Sequence, residues 1–113
     1  MVKIHFWQEK DKGTVHMKVK GHAGTAPRGE DLVCASATML VYTVAQAMMF
    51  MHEQGQLEEK PHIKIREGKA VVTAKPKADY YAEVLHTFWV AQCGAHTLAC
   101  NYPEAVSLNH LTV

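Results

Sequence analysis

The sequence predicts an α+β fold: a mostly antiparallel sheet in ββαββαβ order, packed by two helices in a single compact domain over residues 1–113. Three observations lead there. Apolar and polar residues alternate with a period of two in two pairs of segments, each pair joined by a short glycine-containing turn. Two longer segments carry apolar residues at helical spacing. The chain is also long enough to bury a core without staples, and its 48% hydrophobic and 20% charged residues are the balance of an ordinary globular domain.

In the first strand Val2, Ile4 and Phe6 alternate with Lys3, His5 and Trp7. Asp11-Lys12-Gly13 supplies the hairpin turn. Alternation then resumes, with Val15, Met17 and Val19 on one face and His16, Lys18 and Lys20 on the other. His5 and His16 are thus expected on exposed strand faces. His22 falls just past the strand end on the polar side, where Gly21 and Gly24 allow the chain to change direction.

Residues 23–30 read as a loop, and Asp31 as the N-cap of a helix from about Leu32 to Met51, with Gly55 as its stop. Apolar residues cover most of that helix's circumference, so it should lie buried between other elements. His62 to Ile65 and Lys69 to Thr73 flank the turn pair Glu67-Gly68 in a second hairpin. Pro76 ends it and Asp79 is placed to cap a second helix. There Tyr81, Leu85, Phe88, Gln92 and Ala95 share a face, beside Val84, Trp89 and Leu98. Asn101-Tyr102-Pro103 closes the helix, and Ala105 to Val113 reads as a last strand.

A formal net charge of +1 gives no electrostatic case for a nucleic-acid or membrane partner. No arginine-rich block accompanies Trp7, Trp89 or Tyr102, so no direct nucleic-acid binding is expected. Val33 to Met51 approaches a membrane span in length, but Ser36, Thr38, Thr43 and Gln46 suit a central helix of a soluble protein better. The N-terminus has no signal-peptide core, and three cysteines, an odd number, point to a reducing cytoplasm.

The chemistry concentrates between His22 and Cys34. A catalytic cysteine needs its thiol pKa lowered. Cys34 falls in the first turn of the expected helix, where unpaired N–H groups favour a thiolate and can hold an oxyanion. His22 is near enough in sequence for its imidazole to fold back as a base. Against this, Val33-Cys34-Ala35 is apolar company, and Glu30 and Asp31 act to raise a thiol pKa. On local features the nucleophile and the buried core thiol both stand.

Gly21-His22-Ala23 followed by Gly29-Glu30-Asp31-Leu32-Val33-Cys34-Ala35 resembles the signature of the ribosomal-processing cysteine proteases, the Prp family. The likeness extends in pattern over nearly the whole chain. It implies a homodimeric α+β protein in which His22 and Cys34 form a catalytic dyad. The implied substrate is the N-terminal extension of a large-subunit ribosomal protein, number twenty-seven in the usual series; no cofactor is implied. A serine is common in the family one helical turn after the cysteine. Thr38 stands there in this chain, keeping the hydroxyl and adding a methyl. Gly24 and Gly29 then provide either hinges for a loop that admits substrate or plain turn geometry. Glu30 and Asp31 either cap the helix or meet a basic substrate segment.

Cys93, His96 and Cys100 share one face of the second helix at spacings of three, four and seven. Three ligands among small residues suit close helix packing better than a metal, so no metal site is assigned. Two other functions remain open: a non-catalytic ribosome-associated binding module with a buried Cys34, and a thiol hydrolase of small esters.

Overall fold

The structure, a computed structural model, describes residues 1–21 and 28–111, with the backbone path alone over 28–31. The elements run β1 (Val2–Glu9), β2 (Thr14–Lys20), α1 (Arg28–Glu53), β3 (His62–Arg66), β4 (Lys69–Ala74), α2 (Tyr81–Asn101) and β5 (Val106–Asn109). The sheet order is β3-β4-β2-β1-β5, antiparallel except where β5 lies parallel to β1.

The period-two pattern does what it predicts. Val2, Ile4 and Phe6 of β1, Val15 and Met17 of β2, and Val72 of β4 all turn to one face and are at most 1% exposed. Val33, Val41, Val44 and Met48 of α1 and Val84 and Phe88 of α2 meet them from above. Each fully buried side chain of this size contributes about 1.5–3 kcal/mol from removal of apolar area. The two helices touch directly: a Cβ at Gly94 of α2 would stand 2.8 Å from Leu40 Cδ2 of α1. That contact accounts for the small residues on this face of α2.

Five expectations need correction. α1 begins at Arg28, so Asp31 lies inside its first turn and is not its N-cap. α1 is not buried all round, because helices cover only one side of the sheet and leave Leu32, Met39, Tyr42 and Phe50 outward. Asp79 sits in a 3₁₀ turn, Ala78–Tyr80, and α2 starts after Tyr80 with no side-chain cap. The last strand is only Val106–Asn109, ending before Leu111, whose N–H donates to Gln92 Oε1. Cys93 and Cys100 are exposed and not packed between helices.

His16 is the sixth. Its backbone register faces it away from the helices, as expected, yet the ring is buried by neighbours on that face. The imidazole stacks on Trp7 at 4.6 Å and 5°. Its nitrogens lie 2.9 Å from Thr14 Oγ1 and from Thr73 Oγ1, with Glu9 Oε1 3.1 Å from Nε2. Burial lowers its pKa from the ordinary 6.5, with Glu9 partly opposing. The unfolded chain therefore takes up the proton first as pH falls. The neutral ring's contribution to stability is full above 6.5 and is lost as pH drops through the lowered folded value. Urea unfolding at pH values from about 7.5 to about 5 should show a steeper loss of stability in the wild type than in His16→Gln. Equal slopes would refute that assignment.

Candidate active site

Cys34 and Thr38 are four residues apart on α1, one turn above the other on the same face. Cys34 is half-buried against the core, while Thr38 is exposed. Both line a groove of about 420 Å³, within the usual range for ligand sites. Its apolar floor is Val2, Val19, Ala37, Val41, Ile65 and Ala70. Tyr42 of α1 and Arg66, Glu67, Gly68 and Lys69 of the β3–β4 turn region form the rest of the wall.

Gly21 holds the corner of this groove. It lies at φ 97°, a conformation that L side chains rarely adopt. A Cβ there would also collide with the Met1 carbonyl oxygen. Its N–H donates to Gly68 O at 2.9 Å, joining the end of β2 to the β3–β4 turn. The described chain thus reaches His22 from the groove wall, one residue earlier.

His22 and Gly24 lie outside the described residues. Gly29, Glu30 and Asp31 are in the first turn of α1, so the expected loop over 23–30 gives way to helix from residue 28. That displaces Cys34 from the first turn into the second. Six residues from Arg28 carry it about 9 Å along the axis. The unpaired N–H groups and the dipole act within the first turn, so the helix start is not what activates Cys34. Any activation falls to side chains around the groove. Among the described residues no three His, Cys, Asp or Glu side chains are placed to hold a metal. Cys100 and His96 approach to 3.5 Å without a third donor.

Tyr42, Ile65, Arg66, Glu67 and Lys69 were not legible as site residues. The signal was the strand register, because Lys20 pairs with Lys69 and brings the second hairpin's turn beside the end of β2.

Residues 1–107 match the family model for cysteine protease Prp. The chain belongs to that family. The ribosomal processing cysteine protease Prp of Bacillus subtilis (strain 168) is 33% identical over 51 residues, which span 45% of this chain and 46% of that protein, about half of each. Structures of the ribosomal processing protease Prp from S. aureus align over 99% of this chain and 100% of theirs at a TM-score of 0.70. One, in complex with a substrate peptide, is 20% identical, and the other, with a covalently linked product peptide, is 22% identical. SMU.848 from Streptococcus mutans aligns over 99% of this chain and 96% of its own, at 22% identity and a TM-score of 0.70. At these identities the structures establish the Prp fold, while the family match carries the class, cysteine protease.

Proposed function

We propose that this Prp-family chain is a cytoplasmic endopeptidase that removes the N-terminal extension of large-subunit ribosomal protein twenty-seven, with Cys34 as nucleophile and His22 as its base. The observation that supports it most is Cys34 opening, with Thr38, into a groove whose opposite corner is the residue before His22. The thiol proton passes to the His22 imidazole as sulfur attacks the scissile carbonyl carbon. The C–N bond then breaks, and the imidazolium returns the proton to the leaving amine. The extension is left as a thioester on Cys34. Water, deprotonated by His22, attacks it, breaks the C–S bond and restores the thiol. No cofactor enters. Thr38 borders the subsite next to the sulfur, Gly24 is the hinge for substrate entry, and Glu30 and Asp31 meet basic substrate residues. Gly29, already in α1, is helix and not hinge.

The test is incubation with the extended ribosomal protein and identification of product termini by mass spectrometry, with Cys34→Ala and His22→Ala alongside. A single cut lost in both variants supports the proposal. No cut, with Cys34 inert to alkylation, leaves the binding module.

The same proposal includes a homodimer. At about 100° per residue, Leu32, Met39 and Phe50 share the face of α1 opposite its buried stripe, with Tyr42 at the edge. They are 57%, 63%, 54% and 51% exposed, an apolar strip interrupted by Thr43 and Gln46, for a second copy to cover. Tyr42 also lines the groove, so such a copy would sit beside the active site. Sedimentation should give twice the chain mass for the wild type and the chain mass for Met39→Glu/Phe50→Glu. A monomeric wild type would overturn the dimer.

A further inference from the structure

The helices cover one face of the sheet, and among the described residues no element packs on the other. Register arranges that open face in rows. Lys3 of β1 pairs with Lys20 of β2, Lys20 with Lys69 of β4, and Lys69 with Arg66 of β3. These are four cations in successive strands, spanning about 14 Å at the usual strand spacing. The next row holds His5, Lys18, Val71 and Lys64, and the one beyond it Trp7, His16, Thr73 and His62.

Half of the chain's 12 lysines and arginines therefore stand on this face. Against them the strands place one carboxylate, Glu9, which is occupied by Lys12 and His16 at the far end, and the β3–β4 turn adds an exposed Glu67 beside Arg66 and Lys69. Among the described residues none of the six cations has a carboxylate within ion-pair distance. Like charges directly opposite in a sheet repel, so the row works against the fold and a bound anion would relieve it. The whole-chain charge of +1 conceals this segregation.

Beside the cations lies an aromatic platform. Trp7 stacks on His16, and His5 stacks on Trp7 at 4.6 Å and 30° with its own ring exposed. A row of cations next to stacked rings on an open sheet supplies the two features that single-stranded nucleic acid recognition uses, charge for the backbone and a face for the bases. A membrane would need apolar side chains to insert, and apart from Met1 the large exposed ones are on the helical segments instead.

We propose that the helix-free face of the sheet binds single-stranded RNA, with Lys3, Lys20, Lys69 and Arg66 on phosphates and the His5–Trp7 stack receiving a base. This goes beyond the protease reading and does not depend on it, although Arg66 and Lys69 also border the groove, which Lys3 and Lys20 do not.

The test is fluorescence anisotropy of a labelled single-stranded polyuridine oligonucleotide with the full chain over a salt series. Four phosphate contacts predict a slope of log affinity against log salt of about −3. Lys3→Gln/Lys20→Gln should bring it to about −1.5 and weaken binding at least about tenfold. Neither residue lines the groove, and their neutralisation relieves repulsion, so the variant should stay folded. His5→Ala, on an exposed ring, should weaken binding about fivefold or more at unchanged salt slope. Absence of RNA binding at low salt would overturn the proposal. So would equal affinity of wild type and Lys3→Gln/Lys20→Gln, or binding only to phosphatidylserine vesicles.

Discussion

Cys34→Ala is expected to lower cleavage of the extended ribosomal protein by more than about a thousandfold, because the thioester route disappears with the sulfur. The fold should scarcely respond. Cys34 is only half-buried at the edge of the core, so losing one sulfur atom costs within about 1 kcal/mol, a few degrees in Tm. That pairing of a large catalytic loss with a small structural one separates a nucleophile from a packing residue. Alkylation gives an independent check within one molecule. Cys93 and Cys100 are exposed and Cys34 is not, so access alone ranks Cys34 last. An activated thiolate reverses that order near neutral pH. Iodoacetamide labelling followed by peptide mapping reads the ranking directly, and a Cys34 that labels last would count against activation.

The second large effect is at Gly21. Gly21→Ala should destabilise the chain by about 2 kcal/mol or more, since positive φ alone costs about 1–2 kcal/mol for a residue with a Cβ. The collision with the Met1 carbonyl adds to it and cannot be relieved by a side-chain rotation, because backbone is on both sides. Gly13 is the control. It too has positive φ, 65°, but nothing lies within 4 Å of its would-be Cβ, so Gly13→Ala should cost only the dihedral strain, about 1 kcal/mol. Urea unfolding of both variants measures the difference. Equal costs would show that the Met1 contact does not constrain the corner. Any Gly21→Ala protein that folds should also cleave poorly, because the hydrogen bond from Gly21 to Gly68 aligns the two walls of the groove.

The strands were legible because alternation is a local property. Val2, Ile4 and Phe6, or Val15 and Met17, reveal their face without knowledge of any partner. Cys34 stood out as the candidate nucleophile for a similar reason, as a cysteine in a short glycine-rich block with a histidine. What sequence could not supply was contact across strands and the number of sides on which a helix is covered. α1 is apolar almost all round, which reads as full burial, yet its outer strip of Leu32, Met39 and Phe50 faces away from this chain's own core. Asp31 and Asp79 are residue types that often cap helices, yet α1 already begins at Arg28, before Asp31, and Asp79 sits in a 3₁₀ turn ahead of α2, which has no side-chain cap. Capping preference is worth only about 1 kcal/mol, small enough for the packing of the following turns to override. His16 was placed on the correct face and still misjudged, because Trp7, Thr14 and Thr73 arrive from other positions to bury it. The cation row is the same lesson in charge: Lys3, Lys20, Lys69 and Arg66 are scattered in sequence and adjacent only through register.

The most direct test of the central claim is to trap the acyl-enzyme. The protein is mixed with a peptide covering the extension and its junction, quenched in acid within the first turnover, and its intact mass and tryptic map are recorded. Covalent catalysis by Cys34 predicts a mass increase equal to the released extension less one water, located on the Cys34 peptide and absent from Cys34→Ala. Cleavage that proceeds with no adduct on Cys34, and that persists in Cys34→Ala, would contradict it.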